Sequence, residues 1–467
     1  MIPELFSDSA NRRQFLEQCA TAALILSSGT FSGVSAHGAE SSAASPTPVS
    51  TPVPTPVPAP VPDSSPEIGQ AYSGWKEGDM DLHFIYTGVG ESCFHIMPDG
   101  TSILIDAGGR DTGKYSRNAE LLPDGSRHSG EWVARYIKRV NPNGDRVDYL
   151  MNSHFHDDHC GGELFYSAKT EGRTDDYFLS GLTQTAEYIH FDASFDRGYP
   201  DFNRPIPPNS HEARNWRKFL KWQEKANGLK PTEFLVGRAD QIVLKKNPNK
   251  YADRFAVRNL CANGVVCAAK PEDGEFDLAR VVESQSLFDK YPKNKAHINE
   301  NSLSLGVRFS YGPFRFFSGG DISGRIVDDQ NQDVNLDALV GAAVGKVNVC
   351  KANHHSYLDA MRAEFVQQVK AQVYVINVWD EYHIQDNTMS NMASEDLYSG
   401  DRIICPTNYP PQRLDMYRDK FWQKRVVKDN GHVVVKVFDE GRQFKVYYLT
   451  AADESMTVKT VYGPFQS

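Results

Sequence analysis

The 467-residue chain is poor in cysteine, lacks a long uninterrupted apolar run and carries no excess of positive charge. Each shortage excludes something. Of the seven cysteines, Cys19 lies near the start and the other six are scattered without a Cys-x-x-Cys pair, so neither a zinc ribbon nor a dense disulfide framework is expected. The most apolar stretch, roughly residues 19–34, is short and broken by Ser, Gly and Thr, so no transmembrane segment is expected in the mature protein. Fifty Lys and Arg face 60 Asp and Glu, a net charge of -10, of which the first 36 residues (two arginines against Glu4, Asp8 and Glu17) contribute -1 and leave -9 on the remainder. Broad nucleic-acid binding relies on many basic contacts to phosphates and is not expected, although a local basic groove stays open. Hydrophobic residues make up 40 %, enough for a full core in one large domain.

Residues 1–39 read as a twin-arginine-type export signal, in which Asn11-Arg12-Arg13-Gln14-Phe15-Leu16 precedes the weakly apolar stretch and Val34-Ser35-Ala36 offers a cleavage site. An amphipathic helix or a retained anchor is the alternative. Residues 40–70 contain Pro-Val-Pro-Thr-Pro-Val-Pro-Ala-Pro-Val-Pro, which has too few amide donors for a core and reads as a polyproline II spacer. These two segments place the protein outside the cytoplasmic membrane, in periplasm, wall or medium. Residues 71–467 are then the folded domain.

Chemistry concentrates in Val147-Asp148-Tyr149-Leu150-Met151-Asn152-Ser153-His154-Phe155-His156-Asp157-Asp158-His159-Cys160-Gly161-Gly162. An apolar strand leads into His-x-His-x-Asp-His and a pair of glycines. On an extended backbone His154 and His156 point to the same side and can hold one ion, while Asp158 and His159, at a turn into a helix, aim at a neighbouring point and can hold a second. Four ligand-type residues at this spacing are seldom incidental.

Upstream, a strand at 81–86 is followed by Gly88-Val89-Gly90-Glu91-Ser92, a strand at 93–97, a Pro98-Asp99-Gly100 turn and Ile103-Leu104-Ile105-Asp106-Ala107-Gly108. Together with the histidine motif this order resembles the metallo-β-lactamase superfamily, αββα sandwich hydrolases with one or two metals, usually zinc. Within it, the order is similar to the domains of the DNA-uptake competence channel and of exported phosphorylcholine esterases. The resemblance covers roughly residues 80–165 and 299–385. It implies an αββα sandwich, with residues 165–296 as an insertion contributing walls to the substrate cleft.

The resemblance also implies roles. Asp106 would orient a histidine or the ligand loop from behind, rather than merely cap its strand. Asp321, after Phe314-Arg315-Phe316-Phe317-Ser318-Gly319-Gly320, would bridge two metals and orient a water. In Asn353-His354-His355-Ser356 the family usually has glycine at the last position; His354 would complete the second site, and His355 would substitute for it or reach the substrate. His383, after the strand at 371–378, would contact substrate or lie on the surface. Many members take a third histidine for the first metal from mid-chain, where this chain offers only His190, His211 and His297, none in a clear motif. The expected ligands are therefore His154, His156, Asp158, His159, Asp321 and His354, with catalysis by Asp158, Asp321 and His355 around two divalent ions, zinc foremost.

The function so implied is an exported hydrolase of a small-molecule or cell-envelope phosphoester or phosphodiester. A lactam or lactone hydrolase and a catalytically silent metal-binding surface protein are the alternatives. Lesser expectations are a helix at 131–139, an amphipathic helix around Trp216-Arg217-Lys218-Phe219-Leu220-Lys221-Trp222, and a terminal hairpin turning at Glu440-Gly441. Asn263-Gly264 marks another hairpin, whose register puts Cys261 and Cys267 on opposite faces and argues against a disulfide.

Overall fold

A computed structural model describes residues 65–109, 120–162, 177–268, 272, 274–287, 299–327 and 333–467. The expected signal, most of the proline-rich spacer and His297 lie outside these residues. The chain first forms β1 (Met80–Phe84), β2 (Ser92–Ile96), β3 (Ser102–Ala107), β4 (Arg146–Met151), β5 (His190–Asp196) and β6 (Lys230–Glu233). The chain then forms β7 (Phe255–Ala262), β8 (Val265–Cys267), β9 (Ser284–Ser286), β10 (Gly306–Tyr311) and β11 (Phe314–Ser318). A small ribbon of β12 (Arg325–Val327) and β13 (Asp333–Asn335) precedes β14 (Val349–Lys351), β15 (Val373–Ile376), β16 (Ile403–Pro406), β17 (His432–Phe438), β18 (Gln443–Leu449) and β19 (Val458–Gln466).

Two large sheets result, in the orders β19-β18-β17-β1-β2-β3-β4-β5-β6 and β16-β15-β14-β11-β10-β7-β8-β9. Each is antiparallel at one end and parallel at the other, the parallel parts being β3 to β6 and β11, β14, β15, β16. The period-2 alternation of a strand separates the layers. Ile103, Ile105, Tyr149 and Met151 meet Val257, Phe309, Phe316 and Val349 between the sheets. On the outside of the first sheet, Leu104, Val147 and Leu150 pack against α1 (Ser129–Val140). The amphipathic helix appears as α3 (His211–Asn227), after the short α2 (Asp157–Cys160). It is capped by Ser210 and ended by left-handed Gly228, and buries Trp216, Phe219 and Leu220 on the same layer. Outside the second sheet lie α4 (Leu336–Val344), α5 (Ala363–Val369) and α6 (Asp386–Ala393). The architecture is the expected αββα sandwich.

Two boundaries differ from expectation. Residues 65–70, assigned to the spacer, belong to the domain edge: Gly69 N donates to Val458 O and Glu67 pairs with Lys445. The segment 165–296 is built into the sandwich rather than appended to it, since β5 and β6 extend the first sheet and β7 pairs along β10 in the second. Short parallel and antiparallel strands without strong alternation, such as Lys230–Glu233, give little periodic signal, so register with neighbours decided their place. Among its described residues the turn at Pro208, Asn209, Ser210 and Glu212 shares a cavity with His156, and Arg197 and Phe202 stand against Phe155 of the metal-ligand loop. The terminal hairpin forms as β17–β18, with β19 as an added third strand. Cys261 pairs opposite Val266, and both Cys261 and Cys267 are free thiols. Among the described residues no helix is long and apolar enough to cross a membrane.

Candidate metal centre

The carboxyl ends of β3, β4, β11, β14 and β15 converge at one mouth of the sandwich, where open α/β sheets place their ligands. Next to last in β3, Asp106 is in a left-handed conformation, φ 59°. Beyond β4, residues 153–156 cross the mouth and α2 begins at Asp157. This crossing needs backbone without side chains: a Cβ on Gly90 or Gly108 would stand 2.4 or 2.2 Å from Asp158 O. The same carbonyl accepts Glu91 N at 2.8 Å, so the Gly88-x-Gly90-Glu91 turn cradles α2.

Asp158, His159, Asp321 and His355 form one donor set. His159 Nε2 lies 3.1 Å from Asp321 Oδ2 and 3.2 Å from His355 Nε2. His355 Nε2 is 3.3 Å from Asp321 Oδ2 and 3.4 Å from Asp158 Oδ2, and the His159–Asp158 separation is 3.8 Å. A tetrahedral ion with bonds of about 2.0–2.1 Å has ligand separations of about 3.3–3.5 Å, so the four atoms fit a divalent metal. Glu91 also comes within reach of this cluster. Its Oε2 instead faces His355 Nδ1 at 3.5 Å and the Lys351 ammonium at 2.7 Å, which places it behind the histidine.

His154 and His156 form a second locus beside it. His154 Nε2 is 3.1 Å from His156 Nδ1 and 4.0 Å from Asp321 Oδ2. His354 Nε2 is 3.9 Å from the same oxygen. Of the two alternatives His354 and His355, it is His355 that stands with Asp158 and His159, and His354 does not. The reason is local backbone. His354 (φ 45°, ψ 46°) and His355 (φ 49°, ψ 28°) are both left-handed, and Ser356 follows at φ 61°. Such non-glycine residues store about 1–3 kcal/mol each. Ser356, where glycine is usual, keeps this turn and hydrogen-bonds Thr388 Oγ1 at 2.6 Å.

The ring nitrogens turned away from the mouth are held from behind, which fixes which nitrogen faces inward. Asp106 Oδ2 lies 2.8 Å from His159 Nδ1 and accepts from Ser153 Oγ at 2.6 Å, while Oδ1 accepts Ser153 N. Ser153 Oγ in turn lies 3.0 Å from His154 Nδ1. His355 Nδ1 donates to Asn377 O.

Charge at this depth is unbalanced toward a cation. Burial pulls the His159 imidazole down, but Asp321, Asp158 and Asp106 outweigh it and hold the ring well above its ordinary value. His355 is likewise lowered by burial, yet Asp321 and Asp158 push it up to about 9. Conversely, burial alone would raise Asp158 and Asp321, and the neighbouring imidazoles hold both well below the usual carboxylate range. Metal ligands must be neutral imidazoles and ionised carboxylates, so a divalent ion would replace the protons this cluster now retains.

A cavity of about 260 Å³ opens over the donors, lined by His354, His355, Trp379, Tyr382 and His383 among others. His383 is buried, stacked on His355 at 4.6 Å and 11°, with no hydrogen-bond partner on Nδ1 among the described residues. It is therefore a wall of the cavity and not a surface histidine. His190 opens β5 opposite Arg146, at the far end of β4, and pairs with Asp192. His211 faces Arg214 at the start of α3. Neither reaches the donors, and His297 lies outside the described residues. The sequence reading missed Lys351, whose only signal was a lysine inside an apolar strand, as well as Asp359 and Asn301.

Residues 86–163 match the family model of the metallo-beta-lactamase superfamily. Across that segment the chain is similar to the metallo-beta-lactamase superfamily. The matched segment runs from just after β1 through the His-x-His-x-Asp-His loop, and the remaining donors, Asp321 and His355, lie beyond it in the chain. No curated protein matches the chain.

Proposed function

We propose that the protein is an exported hydrolase that uses two divalent cations, zinc by the chemistry of its donors, to cleave a phosphoester or phosphodiester. The observation that carries this reading is the position of one carboxylate oxygen: Asp321 Oδ2 lies 3.1, 3.3, 3.9 and 4.0 Å from Nε2 of His159, His355, His354 and His154. Histidines of both donor loci thus share a single oxygen, as a bridging ligand requires. When bound, the cations would lower the pKa of a water and offset charge on phosphoryl oxygens. Asp321 and Asp158 would keep the imidazoles oriented, and neutral His383, held below its ordinary value by burial and by His355, offers Nδ1 to a substrate oxygen. Among the described residues the cavity lining contains no lysine or arginine, so an anionic substrate would depend on the cations. Phosphorus rather than carbonyl chemistry rests on this and on the resemblance of the Gly-x-Gly-Glu and Ile-Asp-Ala-Gly order to phosphorylcholine esterases.

Hydrolysis of a generic aryl phosphodiester should exceed that of a chromogenic cephalosporin by at least about 100-fold in kcat/KM, roughly 3 kcal/mol in transition-state binding. Inorganic phosphate should inhibit competitively at the millimolar level. Efficient cephalosporin or lactone turnover with a silent diester assay would overturn the substrate class; bound metal without any turnover would favour the surface-protein reading.

A further inference from the structure

We propose that His354 is the third imidazole of the locus formed by His154 and His156, so that the paired histidines of one turn serve two different cations. The inference rests on the two-cation reading above. Three observations carry it. First, an extended backbone would send consecutive side chains to opposite sides. The left-handed turn instead keeps both rings at the mouth, with Nε2 of His354 and His355 at 3.9 and 3.3 Å from Asp321 Oδ2 and the ring centroids 6.3 Å apart. His355 already stands against Asp158 and His159, whereas His354 and His154 lie farther from the same Asp321 oxygen, at 3.9 and 4.0 Å, and His354 lines one cavity with His156.

Second, His354 is held from behind as a ligand is. Asp359 Oδ1 lies 2.6 Å from its Nδ1, a carboxylate–imidazole contact that puts the proton on Nδ1 and leaves Nε2 as an acceptor. Asn301 Nδ2 donates to that Nε2 at 3.1 Å, which marks the lone pair facing the mouth. Third, among the described residues the mid-chain candidates are engaged elsewhere: His190 pairs with Asp192 and His211 faces Arg214. The first histidine of the pair thereby supplies the imidazole that His190 and His211 do not.

The test is metal content of the purified full chain after reconstitution with Zn2+ and exhaustive dialysis, read by mass spectrometry and independent of turnover. Wild type should hold about two equivalents. His354→Ala and His156→Ala should each hold about one, and the double variant His156→Ala/His354→Ala should still hold about one, because both residues serve the same ion. His354→Ala/His355→Ala should hold close to none. The opposite pattern, with the 156/354 double variant empty and the 354/355 double variant retaining one, would move His354 to the other ion and overturn the proposal. Full occupancy in His354→Ala would remove it from the ligands altogether. A wild type holding a single equivalent would sink the two-cation reading itself, and this proposal with it. Asp359→Asn leaves the imidazole in place and guards against misfolding. Chelator competition should show one of its two ions weakened about 10- to 100-fold, with the other unchanged; two unchanged ions would count against the proposal.

Discussion

Lys351 Nζ lies 2.7 Å from Glu91 Oε2, with both side chains completely buried behind the metal donors. The same ammonium donates to Gly320 O at 2.7 Å and stands 3.7 Å from Asp321 Oδ1. One lysine of the second sheet thus ties the Gly-x-Gly-Glu turn of the first sheet to the backbone that presents Asp321. Burial pulls this ammonium down, but Glu91 and Asp321 outweigh it and hold it charged above its ordinary range. Removing one partner of a buried pair strands the other charge, so Lys351→Met should cost about 3–5 kcal/mol in urea unfolding. Glu91→Gln combined with Lys351→Met should recover a good part of that loss. A single variant within about 0.5 kcal/mol of wild type would show that the pair is not holding the two sheets.

Asp106 acts on the donors through two routes, directly on His159 Nδ1 and through Ser153 Oγ on His154. Asp106→Asn keeps the volume and removes the charge that orients His159. Metal affinity should fall about 10- to 100-fold, more for the ion that His159 holds. Chelator competition measures it, and unchanged affinity at both ions would refute the role.

Asp337, at the start of α4, is fully buried and accepts from Asn353 Nδ2 and Arg362 N. Burial raises its pKa to about 7, with those hydrogen bonds and the Arg362 charge opposing. A carboxyl that holds its proton more tightly when folded loses stability as pH rises from its unfolded value near 4 to about 7, and the loss then levels off. The magnitude is on the order of 4 kcal/mol. Subtracting the unfolding free energy of Asp337→Asn from that of wild type at each pH isolates this limb. The difference should fall between pH 4 and 7; a flat difference would assign the acid an ordinary pKa.

Export is testable without the structure. Arg12→Lys with Arg13→Lys should strand the precursor inside the cell, and the mature chain should begin close to His37. Normal secretion of the double variant would refute a twin-arginine route.

Local pattern made much of this protein readable from its residues. Period-2 alternation in Ile103-Leu104-Ile105 assigns opposite faces to neighbouring side chains, and both layers of the sandwich use them that way. His-x-His-x-Asp-His is a short-range arrangement, because strand and turn geometry alone put its four donors at one mouth. The tertiary structure decided what depends on distant segments meeting. Which histidine of His354-His355 faces Asp158 follows from three consecutive left-handed residues, a conformation that their side chains disfavour and that the surrounding contacts with Asp359, Asn377 and Thr388 hold in place. The pairing of Glu91 with Lys351 joins two sheets and has no periodicity to announce it. The same holds for β5 to β9, whose weak individual patterns acquired their place only through register with β4 and β10. Sequence reports the preferences of a segment; burial and partner choice are set by everything that closes around it.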